Sequence, residues 1–484
     1  MEQVKVFLIN ALTEGAPIQS QSLTNKLSAT LALLALYAMP DVWATPVQDL
    51  TTIWTVNPEL LLRVLAELAA EFPNVHMPLT QRSILKTELH RVSEDMIRVL
   101  NTVLSTVMAS PSEYPSLLNA AVECVEQWLR LPGSNLRQWT PLLSTVFNAV
   151  VDDSAALTNL LTILGANDDL INEDQLVQDV LEYVCNGLSQ KLLSELNLDP
   201  LSEEVSALSA ATCSLAEGVI PVLIRLSTCD SSLLIRLTQF FASLSSLTGR
   251  YPMDEGVSEM PHIYLSSLRE EIYASREPQR TKLKKAVEST YAAVLEGAVD
   301  KLAYAPREVY QGMSSEDKEA FENYRSNRSE CSLNSYYIVG APTLDYLNGQ
   351  LQEAIASADV NRVESIVFCW EQVADHLSAD EYSRICKFLE IAPNLLKGTA
   401  STEEDCRLAC TLMRLLYDLS HLVSTHDESD RLEHTCVSMI LPHLEVLPVT
   451  EEALKTVAKL IDDRPSWLME YGTPMVDRCF ALFQ

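Results

Sequence analysis

The chain has 484 residues, with 66 acidic against 35 basic side chains and a formal net charge of −31. This acidic excess argues against direct nucleic-acid binding, which needs Lys and Arg opposite phosphate, and suits basic protein partners. With 47% hydrophobic residues, only 13 glycines and almost no strand-like alternation, the composition predicts an all-α fold with a large core.

The cysteine spacing, the N-terminal residues and the length of the apolar runs indicate which cellular compartment the chain suits. Eleven cysteines, an odd number without framework spacing, predict reduced thiols and no disulfide. The segment Met1-Glu2-Gln3 lacks the basic start of a secretory signal. The longest apolar run, residues 31–39, is far shorter than the roughly 20 residues that a membrane span needs. We therefore expect no membrane insertion.

Amphipathic helical patterns follow one another along the chain. The best-marked early helix begins at Pro58 after the capping residue Asn57 and carries an apolar stripe from Leu61 to Phe72. Further helices are predicted at 4–13, 20–39, 48–54, 81–109, 114–131, 136–150, 154–164, 175–196, 202–226, 231–247, 261–273, 282–302, 342–357, 360–377, 379–391, 402–423, 431–444, 450–461, 465–471 and 475–483.

A central helix is predicted within residues 313–347. Ser314 can cap its start, with Asp317 in the first turn, and Gly340 and Pro342 end it. One face of this helix is apolar and carries Phe321, Tyr324, Cys331 and Ile338.

The helix pairs recur at an irregular spacing of roughly 40 to 47 residues, which is the period of HEAT and armadillo units. One amphipathic pair cannot bury its own apolar face, so neighbouring pairs must stack into an α-solenoid with a continuous core. We predict one continuous array over residues 1–484 with about ten helix pairs. A compact bundle is the rival arrangement, but a single bundle core serves so many helices poorly.

Several strings are similar to one known family. Residues 314–319 read SSEDKE, and Phe321 stands three residues before the pair Tyr324-Arg325. The strings KTELHRVSEDMIRVLNTVL at 86–104, CVEQWLRL at 124–131 and RPSWL at 464–468 follow the same order. This pattern resembles the importin-13 and transportin-3 branch of the importin-β (karyopherin) family.

The resemblance implies a function and a position within the family's repeat array. It implies a non-enzymatic nuclear transport receptor without a cofactor, whose inner face binds protein cargo and Ran-GTP exclusively of each other. Nucleoporins and shuttling between cytoplasm and nucleus are implied as well. The order of the strings corresponds to early and middle HEAT repeats, so we expect a fragment without the family's first repeats and C-terminal half.

Candidate partner-binding residues are acids at loops and helix ends: Asp168, Asp169, Asp254, Glu255, Glu270 and Glu271. Exposed acids speed association with basic patches, and salt screens the effect. The resemblance implies that residues 254–271 correspond to the mid-array repeats that make a second Ran contact in this family.

Two alternatives remain open at this point. One is a HEAT-repeat scaffold that holds a multiprotein complex together without Ran. The other is a metalloenzyme, because Cys406 and Cys410 stand four residues apart and other zinc-type ligands follow, namely His421, His426, His434 and Cys436. We expect core thiols and exposed histidines instead. The sequence contains no phosphate-binding glycine loop and none of the common hydrolase motifs.

Overall fold

The computed structural model describes residues 1–15, 20–109, 113–396, 399–423, 429–465 and 472–473, and every regular element within them is helical. The first helices are α1 Glu2–Gly15, α2 Gln21–Ala38, α3 Pro46–Ile53, α4 Pro58–Ala70, α5 Leu79–Ala109, α6 Pro115–Leu129, α7 Leu136–Ala149, α8 Ser154–Gly165, α9 Asp174–Tyr183, α10 Ser189–Leu198, α11 Glu203–Gly218 and α12 Ile220–Leu226. They continue as α13 Ser232–Ser245, α14 Pro261–Ala274, α15 Gln279–Leu302, α16 Arg307–Gly312, α17 Ser315–Val339, α18 Pro342–Ser357, α19 Val360–Ala374, α20 Tyr382–Ile391, α21 Glu403–Val423, α22 Ser429–Ile440 and α23 Leu447–Asp463.

The contacts divide the chain into two units. The first contains residues Met1–Leu192 and Ser202–Leu226, and the second contains Leu193–Leu201 and Ser227–Gln484. In the first unit α2, α4, α6, α8 and α11 pack in succession as one row, and α3, α5, α7 and α9 form a second row. Each row buries an apolar stripe against the other, which is how paired amphipathic helices make a shared core.

The second unit has the same two-row construction. Helices α17, α19, α21 and α23 pack one after another, and α18, α20 and α22 form the neighbouring row. Hydrogen bonds between successive helices of the first row recur at a separation of 43 residues, in the pairs Ser329–Gln372, Glu371–Arg414, Met413–Thr456 and Ser420–Asp463. This regular offset matches the predicted repeat spacing, and the predicted all-α solenoid is confirmed.

Local capping signals account for where several helices begin. The Asn57 side chain accepts a hydrogen bond from the backbone N–H of Leu60 at 3.3 Å, and the Ser314 hydroxyl accepts one from the N–H of Asp317 at 3.0 Å. Each satisfies an N–H that the first turn of a helix leaves unpaired. At the other end of α17, Gly340 has φ +82°, a conformation that favours glycine.

Two predicted segments differ from the observed helices. The segment 202–226 is two helices, α11 and α12, bent by 61°, because Pro221 has no N–H to continue the hydrogen-bond ladder. The segment 175–196 contains a π-helical turn at Val184–Leu188. The short helix α16 was not predicted, and the predicted helices 465–471 and 475–483 lie almost wholly outside the described residues.

Among the described helices, no single one is long and apolar enough to cross a membrane, although α11 and α12 together pass that test of length and composition.

Candidate partner-binding surfaces

Helix α17 carries a buried cation in addition to its predicted apolar face. Phe321, Tyr324, Cys331 and Ile338 are all buried, as predicted. Arg325 is also buried, and its Nη2 donates to both oxygens of Glu364 on α19, at 2.8 and 3.0 Å. Burying a charge is costly unless it is paired and fully hydrogen-bonded. The pairing therefore lets α17 place a guanidinium inside the helix row.

The same ion pair connects four helices. Thr411 on α21 donates its hydroxyl hydrogen to Glu364 Oε1 at 2.8 Å. The carbonyl oxygen of Leu302, the last residue of α15, accepts from Arg325 Nη1. The rings of Tyr304 and Phe368 lie 4.1 and 4.6 Å from the guanidinium, within cation–π range. One buried ion pair thus joins α15, α17, α19 and α21.

A polar groove of about 720 Å³ opens above this ion pair, between α17, α19 and α21. Its lining holds five glutamates (Glu322, Glu330, Glu364, Glu371 and Glu403) and three arginines (Arg325, Arg407 and Arg414). Three pairs are neutralised internally, Arg325–Glu364, Arg414–Glu371 and Arg407–Glu403. The exposed Glu322 and Glu330 remain as the excess charge, and the groove favours a basic ligand.

Asp418, near the C-terminal end of α21, and Glu371 of the adjacent α19 both have raised pKa values. Burial raises the pKa of Asp418 to about 7, and the neighbouring Asp375 and Glu371 add to the rise. Burial also raises the pKa of Glu371, while the hydrogen bond and charge of Arg414 oppose the shift. A neutral Asp418 relieves the repulsion among these three carboxylates.

In the first unit, Asp168 and Asp169 lie in a 3-10 turn between α8 and α9, Asp168–Asn172, and both are exposed. The Asn167 side chain caps this turn by accepting from the N–H of Asp169 at 3.0 Å. Arg225 approaches the same turn and donates to the carbonyl of Ile171 at 2.6 Å. Both predicted acids are available to a partner.

In the second unit, the predicted acids Asp254 and Glu255 have opposite environments. Asp254 is exposed, and its Oδ2 accepts from the N–H of Arg250 at 2.9 Å. The expectation that Glu255 is an exposed acid is wrong, because its side chain is completely buried. Its carboxylate accepts from Lys301 Nζ at 2.8 Å and from the Ser258 hydroxyl at 2.6 Å. Glu255 therefore folds its own loop and cannot meet a partner.

Glu270 and Glu271 lie side by side on α14, and both are exposed. Glu270 Oε1 is 3.3 Å from Arg269 Nη2, while Arg269 Nε donates to Asn334 of α17 at 2.9 Å. Asp254 stands on the loop before α14, and Glu270 and Glu271 stand in the last turns of that helix. The second unit thus presents three exposed members of the predicted set.

Sequence inspection missed the acids of the groove. Glu371 and Arg414 belong to different helices, and nothing in either local pattern connects them. The repeat period could have found the pair, because a shift of 43 residues superimposes Glu371 on Arg414.

The zinc-type residues do not form a cluster where the structure describes them. No three His, Cys, Asp or Glu side chains in the described part of the chain converge on a metal-binding geometry. The Cys410 thiol instead donates to the carbonyl of Pro448 at 3.4 Å. His426 lies outside the described residues.

Comparisons with known proteins agree with this architecture. Residues 20–163 match the family model "Exportin 1-like protein". Importin-13 of Bos taurus is 21% identical over 449 residues, covering 88% of this chain and 44% of the relative. Importin-13 of Homo sapiens is 20% identical over 448 residues with the same coverage. A solved structure titled "Importin13 cytosolic state" matches with a TM-score of 0.74 at 18% identity, covering 99% of this chain and 57% of that one.

The paired helix rows and the 43-residue polar contacts define an α-solenoid of HEAT-like repeats. The matches above support the assignment of the chain to the importin-β (karyopherin) family. The resemblance to the importin-13 branch is thereby confirmed. The chain spans less than half the length of the curated relatives it matches.

Proposed function

We propose that the chain acts as a nuclear transport receptor that binds protein cargo and Ran-GTP exclusively of each other. The similarity to importin-13 along 88% of the chain, together with the solenoid fold, carries this proposal. Contact with nucleoporins and shuttling between cytoplasm and nucleus belong to the same proposal. Its role is binding, without catalysis or a cofactor.

The charge of the exposed surface supports basic partners. Asp168 and Asp169 stand in the first unit, and Asp254, Glu270 and Glu271 stand in the second, all exposed. The α17–α19–α21 groove adds Glu322 and Glu330. A surface of one sign raises the rate of encounter with partners of the other sign.

A binding assay with the two nucleotide states of Ran tests the proposal. The immobilised chain should capture Ran loaded with GTP and should not retain Ran loaded with GDP. Ran-GTP should also release a basic cargo protein that was bound beforehand. Equal capture of both Ran forms, or cargo retention in the presence of Ran-GTP, would instead favour a scaffold that works without Ran.

A further inference from the structure

The second unit contains an apolar pocket that the proposed function does not use. It has a volume of about 240 Å³ and lies between the loop that follows α13, the end of α15 and the start of α17. Its apolar lining includes the aromatic and methionine side chains Tyr251, Met253, Tyr310, Met313 and Phe321. Sites for drug-sized ligands measure roughly 300 to 1,000 Å³. The pocket therefore suits a single large apolar side chain.

This pocket continues into a second depression on the same unit. A groove of about 550 Å³ runs between α13 and α15, and Ser246, Gly297 and Asp300 line both the groove and the pocket. The two are therefore adjacent, and we call them together the α13–α15 site. A ligand chain lying in the groove can insert one side chain into the pocket.

Glycine at position 297 accounts for the close approach of the two helices at the junction. A Cβ atom at Gly297 would lie 2.5 Å from the Ser246 hydroxyl oxygen. Real Cβ contacts are not that short, so any side chain at this position would displace Ser246 or part the helices. The absence of a side chain at position 297 therefore lets α15 pack closely against the end of α13, where the groove meets the pocket.

Both charged residues that line the groove are acids. Glu296 is exposed on α15. Asp300 lies one turn further on and forms an ion pair with Arg362 of α19 at 2.5 Å, so Glu296 is the groove acid left for a ligand. The rest of the lining is small or polar, including Ala242, Ser243 and Ala293. Complementary charge at this groove is therefore positive.

A buried hydroxyl in the groove has no partner. Thr290 is 4% exposed, and its Oγ1 makes no hydrogen bond within the described structure. Buried polar atoms of folded proteins are nearly always hydrogen-bonded. Thr290 lines the groove, so a polar group of a bound chain can supply the missing bond.

The pocket wall is fixed before any ligand arrives. Lys301 Nζ donates to the carbonyl of Gly249 and to Glu255 Oε1, both at 2.8 Å. Glu255 Oε2 also accepts from the N–H groups of Val257 and Ser258, at 3.0 and 2.9 Å. Gly249 has φ +105°, which favours glycine at this bend. A preformed wall lowers the ordering cost of binding.

We propose that the α13–α15 site binds a protein segment that carries one large apolar side chain and a nearby Lys or Arg. The apolar side chain fills the aromatic and methionine pocket. The basic side chain lies over Glu296, and a polar group of the segment bonds to Thr290. This inference does not depend on Ran binding or on the transport function proposed above.

A selection of short random peptides against the full chain tests the proposal. Enriched peptides should combine a Leu, Met, Phe or Trp with a Lys or Arg. Their affinities are measured by fluorescence polarisation with the parent chain and with three variants. Ala303→Leu fills the pocket from its own lining, Glu296→Lys reverses the groove charge, and Glu288→Lys makes the same charge change at an exposed position of α15 that does not line the site.

Ala303→Leu and Glu296→Lys should each weaken binding at least about tenfold, and Glu288→Lys should change it less than about twofold. The methyl NMR signals of Met253 and Met313 should shift on peptide addition to the parent chain. Thermal unfolding of each variant checks that it folds. The proposal is overturned if no peptide is enriched, if Ala303→Leu binds like the parent, if Glu288→Lys weakens binding as much as Glu296→Lys, or if the two methionine signals do not move.

Discussion

Arg325 and Glu364 form a buried ion pair in which the two side chains are only 4% and 3% exposed. The attraction between two charges removed from water is largely offset by the cost of removing them. The net gain from such a pair is therefore small, whereas the loss of one partner leaves an uncompensated buried charge. Replacing one partner should therefore destabilise the protein much more than replacing both.

Arg325→Met should lower the free energy of unfolding by about 3 to 5 kcal/mol, because Glu364 is left charged and buried. The double variant Arg325→Met/Glu364→Leu should recover most of that loss. Urea unfolding followed by circular dichroism measures both.

The matched control is Arg384→Met, which breaks the more exposed pair Arg384–Asp345. It should cost no more than about 1 kcal/mol. A cost for Arg325→Met as small as that of the control would show that the Arg325–Glu364 pair does not hold the row together.

Glu255→Ala should destabilise the protein although it removes an acid from a strongly acidic chain. The change leaves Lys301 with a single remaining acceptor, the carbonyl of Gly249, and leaves the N–H groups of Val257 and Ser258 without their carboxylate. Removing one side of a buried charged pair costs about 3 to 5 kcal/mol. Glu271→Ala, at an exposed acid, should change stability by less than about 0.5 kcal/mol. Equal melting temperatures for the two variants would contradict the assigned role of Glu255.

The exposed acids should govern the salt dependence of partner binding. Replacing Asp254, Glu270 and Glu271 with Ala should slow association with Ran-GTP or a basic cargo protein and flatten the salt dependence, because salt screens exposed charges beyond about 8 to 10 Å. The far-ultraviolet circular dichroism should not change. Association rates from surface plasmon resonance at low and physiological salt make the comparison. An unchanged rate in the triple variant would show that partners bind elsewhere.

Asp418 should make the protein less stable as the pH rises. Its pKa is about 7 in the folded protein, raised first by burial and then by Asp375 and Glu371, against about 3.9 in an unfolded chain. The folded state therefore holds the proton more tightly, and the free energy of unfolding falls between about pH 4 and pH 7.

Asp418→Asn should remove this loss, so the variant should exceed the parent in stability at about pH 8 and lose that advantage toward about pH 4. Urea unfolding across this range measures the difference. The control Asp380→Asn alters an exposed aspartate and should leave the pH profile as it is. A parallel profile for Asp418→Asn and the parent would rule out this protonation.

The helices were predictable because their signals are local. Asn57 and Ser314 cap helices that begin where the sequence indicated, and Gly340 ends α17 as predicted. The bend between α11 and α12 could also have been predicted from Pro221. The role of Glu255 could not, because its burial depends on Lys301, 46 residues away. The residues next to Glu255 and Lys301 in the sequence do not indicate that these two side chains form an ion pair.

The candidate surfaces also include some features that the local sequence predicts and others that depend on helix packing. Exposure of Asp168, Asp169, Asp254, Glu270 and Glu271 follows from their polar surroundings at loops and helix ends. The α17–α19–α21 groove and the α13–α15 site depend on which helices become neighbours. Gly297 and Ser246, for example, meet only after α13 packs against α15. That information resides in the stacking of helices and is not visible in any single helix.

Several of the hydrogen bonds between neighbouring helices end on a backbone carbonyl. Ser335 donates to the carbonyl of Tyr291, Ser365 to that of Val299, and Thr456 to that of Met413. Every amino acid supplies a carbonyl, so the accepting position can change its side chain in evolution without losing the bond. Each such contact requires a particular hydroxyl on one helix and only a main chain on the other. Sequences in this fold can therefore diverge to about a fifth identity, as this chain and importin-13 have done, while the helices stay in register.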